Sequence, residues 1–233
     1  MTTHWIKQLP DNRLIAEISL WSADLMRMAD DMERIEPFAD IYHIDASDGH
    51  FTPAFLLFPD QVAGIRKLTS KPLHVHLMTH HSILLSQIDQ FADAGADLIS
   101  VHAENENAPE AISAIRQKGL EAGLALCVET DVSVIAEYLD VVSFITLLGT
   151  RIGVKGQGLD ASATGRMQHA RKIINDTNAS HRIILAADGG IREHTVPDLR
   201  SHGADTIVMG SLAFNELDLG ARMQWVHDLP SYQ

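Results

Sequence analysis

Along the chain, short apolar runs alternate with longer stretches in which apolar residues recur every three or four positions. The short runs fall at 14–20, 40–45, 73–77, 97–102, 124–128, 141–147, 183–187 and 206–210. Most are apolar nearly throughout, the pattern of parallel strands covered on both faces. Between them, Leu25, Met26, Met28, Ala29, Met32 and Ile35 carry the spacing of a buried helical face, as do Ile83, Leu84, Ile88, Phe91 and Ala92. Pro109 after Asn107, and Asp131 before Val134 and Ile135, mark helix starts. Gly119 and Gly123 mark a passage from helix to strand.

A weak repeat runs through the same pattern: Asp40, Asp97, Asp140 and Asp205 each stand just before an apolar run, the second, fourth, sixth and eighth. Repeated strand–helix units with short connections predict an α/β fold, a single-domain (β/α)8 TIM barrel over 1–233, with 1–12 as a short N-terminal extension. An open doubly wound sheet is the alternative, but no Gly-x-Gly-x-x-Gly follows the first run. A chain of 233 residues, 45% hydrophobic, fits one such domain and buries roughly 70–75% of its unfolded surface.

Charge narrows the partners. Eighteen Lys and Arg against 31 Asp and Glu leave a net −13, spread without long blocks. Such a chain is unsuited to nucleic acid or an anionic membrane, so any anion must be held locally by backbone amides or a few cations. The single cysteine, Cys127, excludes an intrachain disulfide framework and reads as an inert buried strand thiol. With no N-terminal signal and no long apolar span, a cytoplasmic protein is expected.

The candidate chemistry sits at strand ends. His43 and Asp45 lie two apart inside an apolar run, so they project from one face of a strand. Burying both is costly unless a metal, a ligand or each other compensates them. The third run carries His74 and His76, the fourth ends in His102 and Glu104, and the seventh reaches Asp188. In a barrel these positions meet at the C-terminal rim, where His, Asp, His and Asp from separate strands suit zinc or a similar divalent ion. The plainer alternative is a set of hydrogen-bonded core pairs. Of the thirteen histidines, most, such as His80, His81, His169 and His194, fall in loop or helix patterns and read as solvated. Gly189 and Gly190, then Gly210 and Ser211, follow the last two strands, where barrels commonly hold phosphate; tight turns alone are the alternative.

Taken together these residues resemble the ribulose-phosphate 3-epimerase family, from Ser19 to about Phe214. The matching pieces are Ser19 with Ser22, Ala23 and Asp24; His43 and Asp45 with Asp48 through Phe51; His76 with Met78; His102 with Glu104; Gly156 with Gln157; Asp188 through Gly190; and Gly203 through Asp205 with Gly210 and Ser211. The resemblance implies a ribulose-phosphate-binding barrel that inverts C3 of a phosphorylated ketose through an enediolate. It implies one divalent metal, zinc foremost (with Fe2+, Mn2+, Co2+ or Mg2+ as alternatives), on His43, Asp45, His76 and Asp188. Asp45 and Asp188 would be the acid/base pair. Ser19, Met78, Gly153, Gly156, Gly189, Gly190, Gly210 and Ser211 would contact substrate and its phosphate. A small phosphorylated sugar is the expected ligand and a homo-oligomer the expected assembly.

The chain also departs from that family. Where the family has Asn-Pro-Gly-Phe-Gly-Gly-Gln after the sixth strand, residues Arg151 to Gln157 read Arg-Ile-Gly-Val-Lys-Gly-Gln. Ser47 and Leu148 replace methionines, His74 an aspartate and Ile18 a proline. Ser47, Leu148, Arg151 and Lys155 are therefore the expected specificity positions, and a tetrulose or hexulose phosphate stands beside ribulose 5-phosphate and xylulose 5-phosphate as substrate. A Schiff-base aldolase lacks its strand-end lysine, and a decarboxylase lacks its Asp-x-Lys-x-x-Asp motif. Another phosphate-barrel lyase or isomerase, or a barrel that binds sugar phosphate without turnover, remains the alternative.

Overall fold

Each apolar run forms a strand: β1 Ile15–Ser19, β2 Ile41–Ser47, β3 Leu73–Met78, β4 Leu98–His102, β5 Glu121–Leu126, β6 Phe144–Leu148, β7 Ile184–Asp188 and β8 Thr206–Met209. In this computed structural model, which describes residues 5–177, 179–230 and 232, each strand pairs in parallel with the next and β8 closes on β1. Residues 1–4 of the expected extension lie outside the described residues. The chain is a closed (β/α)8 barrel.

Several boundaries differ from expectation, and β6 begins only at Phe144, since Val141 and Val142 still bond back to the Tyr138 carbonyl. β2 continues to Ser47 because its ladder with β3 runs as far as Ser47 opposite Met78. β5 opens at Glu121, whose N–H already bonds the Asp97 carbonyl at 3.1 Å. Gly123 is thus inside the strand, and Cys127 lies beyond its end, half-buried rather than in the core.

The helices are α1 Met28–Ile35, α2 Pro59–Arg66, α3 His81–Asp93, α4 Ala108–Gln117, α5 Ala163–Asp176, α6 Val196–Ser201, α7 Ser211–Phe214 and α8 Leu219–His227. After β5 a 3-10 turn, Val132–Glu137, replaces the helix; Asp131 caps it, accepting from the Ser133 N–H at 2.8 Å. Leu25 and Met26 precede α1 and are exposed, so only Met32 and Ile35 of that expected face are buried. None of these helices is long and apolar enough to cross a membrane.

The aspartate repeat has a physical role. Asp40 accepts from the Ala16 N–H of β1, Asp97 from Leu73 of β3, and Asp205 from Leu185 of β7, at 2.8–2.9 Å. Each also takes an arginine, Arg13, Arg66 and Arg171 respectively. The carboxylates thereby tie neighbouring strands at the barrel's N-terminal end with charge-assisted bonds. Asp140, the third of the repeat, is exposed.

Alternation divides the strand residues between two environments. Leu14, Ala16, Ile18, Ile44, Val75, Leu77, Ile99 and Val101 face outward into one large core with Ile35, Leu84, Ile88, Phe91 and Ile115 of the helices. Inside, Ile15, Ile41, Leu98, Phe144, Ile184 and Ala186 form an apolar floor, closed by Ile6. Above that floor the interior turns polar.

Candidate active site

At the C-terminal rim, β2 presents His43 and Asp45, β3 presents His76, and β7 ends in Asp188. Register does part of the positioning, for Asp45 lies directly opposite His76. His43 Nε2 stands 3.3 Å from Asp45 Oδ1 and 3.8 Å from Asp188 Oδ2; His76 Nδ1 stands 3.5 Å from each carboxylate. One donor atom from each of the four lies within 4.8 Å of the others.

His43 Nε2 and His76 Nδ1 are buried and make no hydrogen bond of good geometry. Orphaned imidazole nitrogens are expensive in a protein interior. Two of them facing a gap shared with two carboxylates form a donor set that fits a divalent cation. The electrostatics agree. Burial works against charge on His43, but Asp45 and then Glu17 outweigh it and raise its pKa well above the usual histidine value. His76 is raised in the same way by Asp188 and Asp45. Burial pushes Asp45 up, yet His43 and His76 hold it well below the usual carboxylate range. A field that draws protons onto two facing imidazoles is one that favours a cation between them.

Around this cluster opens a cleft of about 370 Å³, within the range of small-ligand sites. Its lining includes Ser19, Met78, Leu148, Arg151, Gly153, Lys155, Gly156, Gly189, Gly190, Gly210 and Ser211, so the expected substrate positions do converge. Ser19 Oγ donates to Asp45 Oδ2 at 2.8 Å. Gly189 and Gly190 have φ of 86° and 70°, which disfavours any side chain, and a Cβ on Gly190 would stand 2.7 Å from the Leu159 backbone. These two glycines let the chain after β7 turn tightly against loop six.

Other expected positions sit differently. Ser47 donates to the Ala54 carbonyl at 2.6 Å and is not among the residues lining the cleft. Arg151 is at the mouth with its side chain exposed. Lys155 reaches across the opening to donate to the Trp21 carbonyl, its ammonium 4.8 Å from the centre of the Trp21 ring. Its partial burial lowers its pKa, with Asp45 acting in the opposite sense. His80 caps α3 and stacks on His50 with centroids 4.2 Å apart.

Several contributors lie outside the residues that the sequence marks. Trp21, in the 3-10 turn that follows β1, and Arg192 and Asn215, in loops, line the cleft with no distinguishing pattern. Glu17 lies beneath His43, and a carboxylate inside the apolar first run, two residues before Ser19, was the visible signal.

His102 stands behind the rim cluster rather than in it. Its Nε2 is 2.8 Å from His76 Nε2, and its Nδ1 is 2.9 Å from Glu104 Oε2. Cys127 Sγ lies 3.7 Å from the same Nδ1. Burial, then the neighbouring Glu104, pushes the Cys127 thiol up to about 12. At pH 8 this thiol should therefore react with iodoacetamide more than about a hundredfold slower than an unperturbed cysteine of pKa near 8.5. Because the group ionises upward, the rate should still climb about tenfold per unit between pH 9 and 10. Mass-spectrometric alkylation rates check this; a plateau near pH 9 would contradict it.

Comparison with known proteins follows the same line. The model of the ribulose-phosphate 3 epimerase family matches residues 15–214. The chain is 32% identical over 202 residues to a ribulose-phosphate 3-epimerase of Bacillus subtilis (strain 168), covering 86% of this chain and 92% of that one. To the enzyme of the same name from Helicobacter pylori (strain J99) it is 30% identical, covering 86% and 90%. Among solved structures it superposes on orotidine 5'-phosphate decarboxylase from Pyrococcus horikoshii OT3 with a TM-score of 0.64 at 16% identity, covering 92% and 98%. A tryptophan synthase alpha-subunit from Pyrococcus furiosus gives 0.64 at 18% identity, covering 94% and 96%. These two likenesses concern the fold alone.

Proposed function

The chain belongs to the ribulose-phosphate 3-epimerase family, and from that premise we propose that it inverts C3 of a phosphorylated ketose using His43, Asp45, His76 and Asp188. The observation that carries the reading is the pair of orphaned buried nitrogens, His43 Nε2 and His76 Nδ1, aimed at a gap between carboxylates from opposite parts of the barrel.

The proton beside a ketone is a weak acid, so its removal leaves negative charge that must be accommodated on oxygen. The four rim residues would hold one divalent ion, zinc suiting the mixed nitrogen and oxygen donors best; when bound, it supplies Lewis-acid stabilisation of that charge. Asp45 comes from β2 and Asp188 from β7, so a substrate lying between them has a carboxylate on either side. One removes the C3 proton, and the other delivers a proton to the opposite face of the flat enediolate. Ser19 orients Asp45 through its hydrogen bond. Buried Met78 and Leu148 form apolar wall that excludes water from the reacting carbon. The backbone of Gly189, Gly190, Gly210 and Ser211 provides the phosphate end, and Gly153 and Gly156 shape the covering loop.

The substrate class is a four- to six-carbon ketose phosphate, with ribulose 5-phosphate, a tetrulose phosphate and a hexulose phosphate as its members. Lys155 over Trp21 and Arg151 at the mouth change both the charge and the shape of that end of the cleft. Arg151→Ala should raise KM for the best substrate several-fold, about 1 kcal/mol for an exposed cation, while metal content stays constant. Values of kcat/KM across the three sugar sizes, in wild type and variant, test it. A wild-type optimum at ribulose 5-phosphate that is indifferent to Arg151 would remove the arginine from specificity.

A cytoplasmic setting is proposed from the single cysteine, and a homo-oligomer from the exposed Met26, Phe55 and Phe58. Light scattering in solution tests the assembly. The decisive experiment for function is a screen of ketose phosphates for solvent deuterium at C3, run with and without a chelator. Incorporation lost on chelation is the expected result; sugar phosphate bound without exchange would mean a non-catalytic barrel.

A further inference from the structure

Beneath the rim lies a second polar layer that the chemistry above does not use. Glu17, midway along β1, is fully buried, as are His43, His74, Ser100 and Thr206 around it. One carboxylate oxygen, Oε1, lies 2.7 Å from His43 Nδ1 and 2.6 Å from His74 Nδ1. The other stands 3.5 Å from Thr206 Oγ1. His74 Nε2 in turn is 2.7 Å from Ser100 Oγ. Space for that serine exists because residue 123 is glycine: a Cβ there would come within 2.0 Å of Ser100 Oγ.

The ionised carboxylate sets the hydrogen inventory of these bonds. An ionised carboxylate only accepts, so both Nδ1 atoms must carry hydrogen. Neutral His74 then accepts from the Ser100 hydroxyl through Nε2. With the Nδ1–H of His43 committed to Glu17, Nε2 is the nitrogen left to meet a cation, and it is the one without a hydrogen-bond partner between Asp45 and Asp188.

We propose that Glu17 is a positioning residue for the rim cluster, fixing the ring and tautomer of His43 so that Nε2 is presented to the cation, with His74 and Ser100 clamping the carboxylate from behind. The inference rests on the metal-dependent reading above. Its physical basis is general: a carboxylate bonded to the far nitrogen of a ligating imidazole sets its orientation and increases its basicity. Here the carboxylate comes from β1, and all its partners are on barrel strands, so the arrangement has little freedom to relax. A carboxylate retained only for packing would affect the stability of the metal-free barrel and leave cation affinity alone.

Glu17→Gln keeps the shape and an acceptor oxygen but removes the charge. Zn2+ and Co2+ affinities measured by chelator competition on the full chain should fall about 10–100-fold, with the Co2+ visible spectrum shifted and the circular dichroism unchanged. Ser100→Ala, one link further out, should cause a smaller loss in the same direction. Equal affinity in wild type and Glu17→Gln would overturn the proposal while leaving the metal-dependent reading intact. A wild type that takes up neither ion would overturn that reading, and this inference with it. Should Glu17→Gln fail to fold, the nitrogen resonances of His43 in zinc-loaded, 15N-labelled wild type decide. Hydrogen on Nδ1 with Nε2 metal-bound supports the assignment, and metal on Nδ1 refutes it.

Discussion

Removing either rim imidazole should strip the metal and abolish epimerisation while the barrel stays folded. Each of His43→Ala and His76→Ala deletes one of four donors and leaves Asp45 and Asp188 facing each other with less positive charge between them. Loss of several kcal/mol of transition-state stabilisation corresponds to a fall of about a thousandfold or more in kcat/KM. The two variants should differ in stability. His43→Ala also takes one of two imidazole donors from the buried Glu17, at a cost of about 1–3 kcal/mol beyond the cavity. His76→Ala instead leaves His102, which keeps Glu104 on its other nitrogen. Elemental analysis, turnover and chemical denaturation read the three quantities separately. Metal-replete variants, or wild-type turnover unchanged by exhaustive chelation, would refute the assignment.

Asp45→Asn and Asp188→Asn should each block epimerisation by about 10²–10⁴-fold, the range of a lost general acid or base. They should not fail identically. With only one face disabled, the surviving carboxylate still meets the C3 proton of one epimer, so one variant should wash solvent deuterium into its substrate without forming product. Both carboxylates face His43 and His76, but only Asp45 also accepts from Ser19, and it stands 3.3 Å from His43 Nε2 against 3.8 Å for Asp188. The Asp45 variant is therefore the one expected to lose more metal, and metal content must accompany each rate. Near-normal turnover in either would end the two-carboxylate mechanism.

Glu17 shows how the inside of a barrel separates foundation from chemistry. The floor is apolar, the middle layer is a hydrogen-bond chain from His43 through Glu17 and His74 to Ser100, and at the rim His43 and His76 each keep one nitrogen without a hydrogen-bond partner. Each layer restrains the one above it, which is how a site built from three strands keeps its geometry without a loop holding it.

By itself the sequence determined the architecture: eight apolar runs of strand length and a recurring aspartate specified eight parallel strands, because burial on both faces demands near-continuous apolar sequence. It also marked three of the four rim residues, since His43 with Asp45, and Asp188 before two glycines, are side chains no core strand keeps without cause. Three matters belonged to the tertiary structure. Whether His74 or His102 joined the rim depended on how far each strand rises in the staggered barrel; His74 fell a layer below and His102 behind His76. Whether Ser47 and Arg151 faced the cleft depended on the tertiary structure: Ser47 turned to Ala54, while Arg151 lines the mouth with its side chain exposed. The role of Glu17 required β1, β2 and β3 to be side by side, for its two histidine partners lie 26 and 57 residues away. Local pattern fixes which face a side chain occupies, but the height at which strands from distant parts of the chain come into register is set only when the barrel closes.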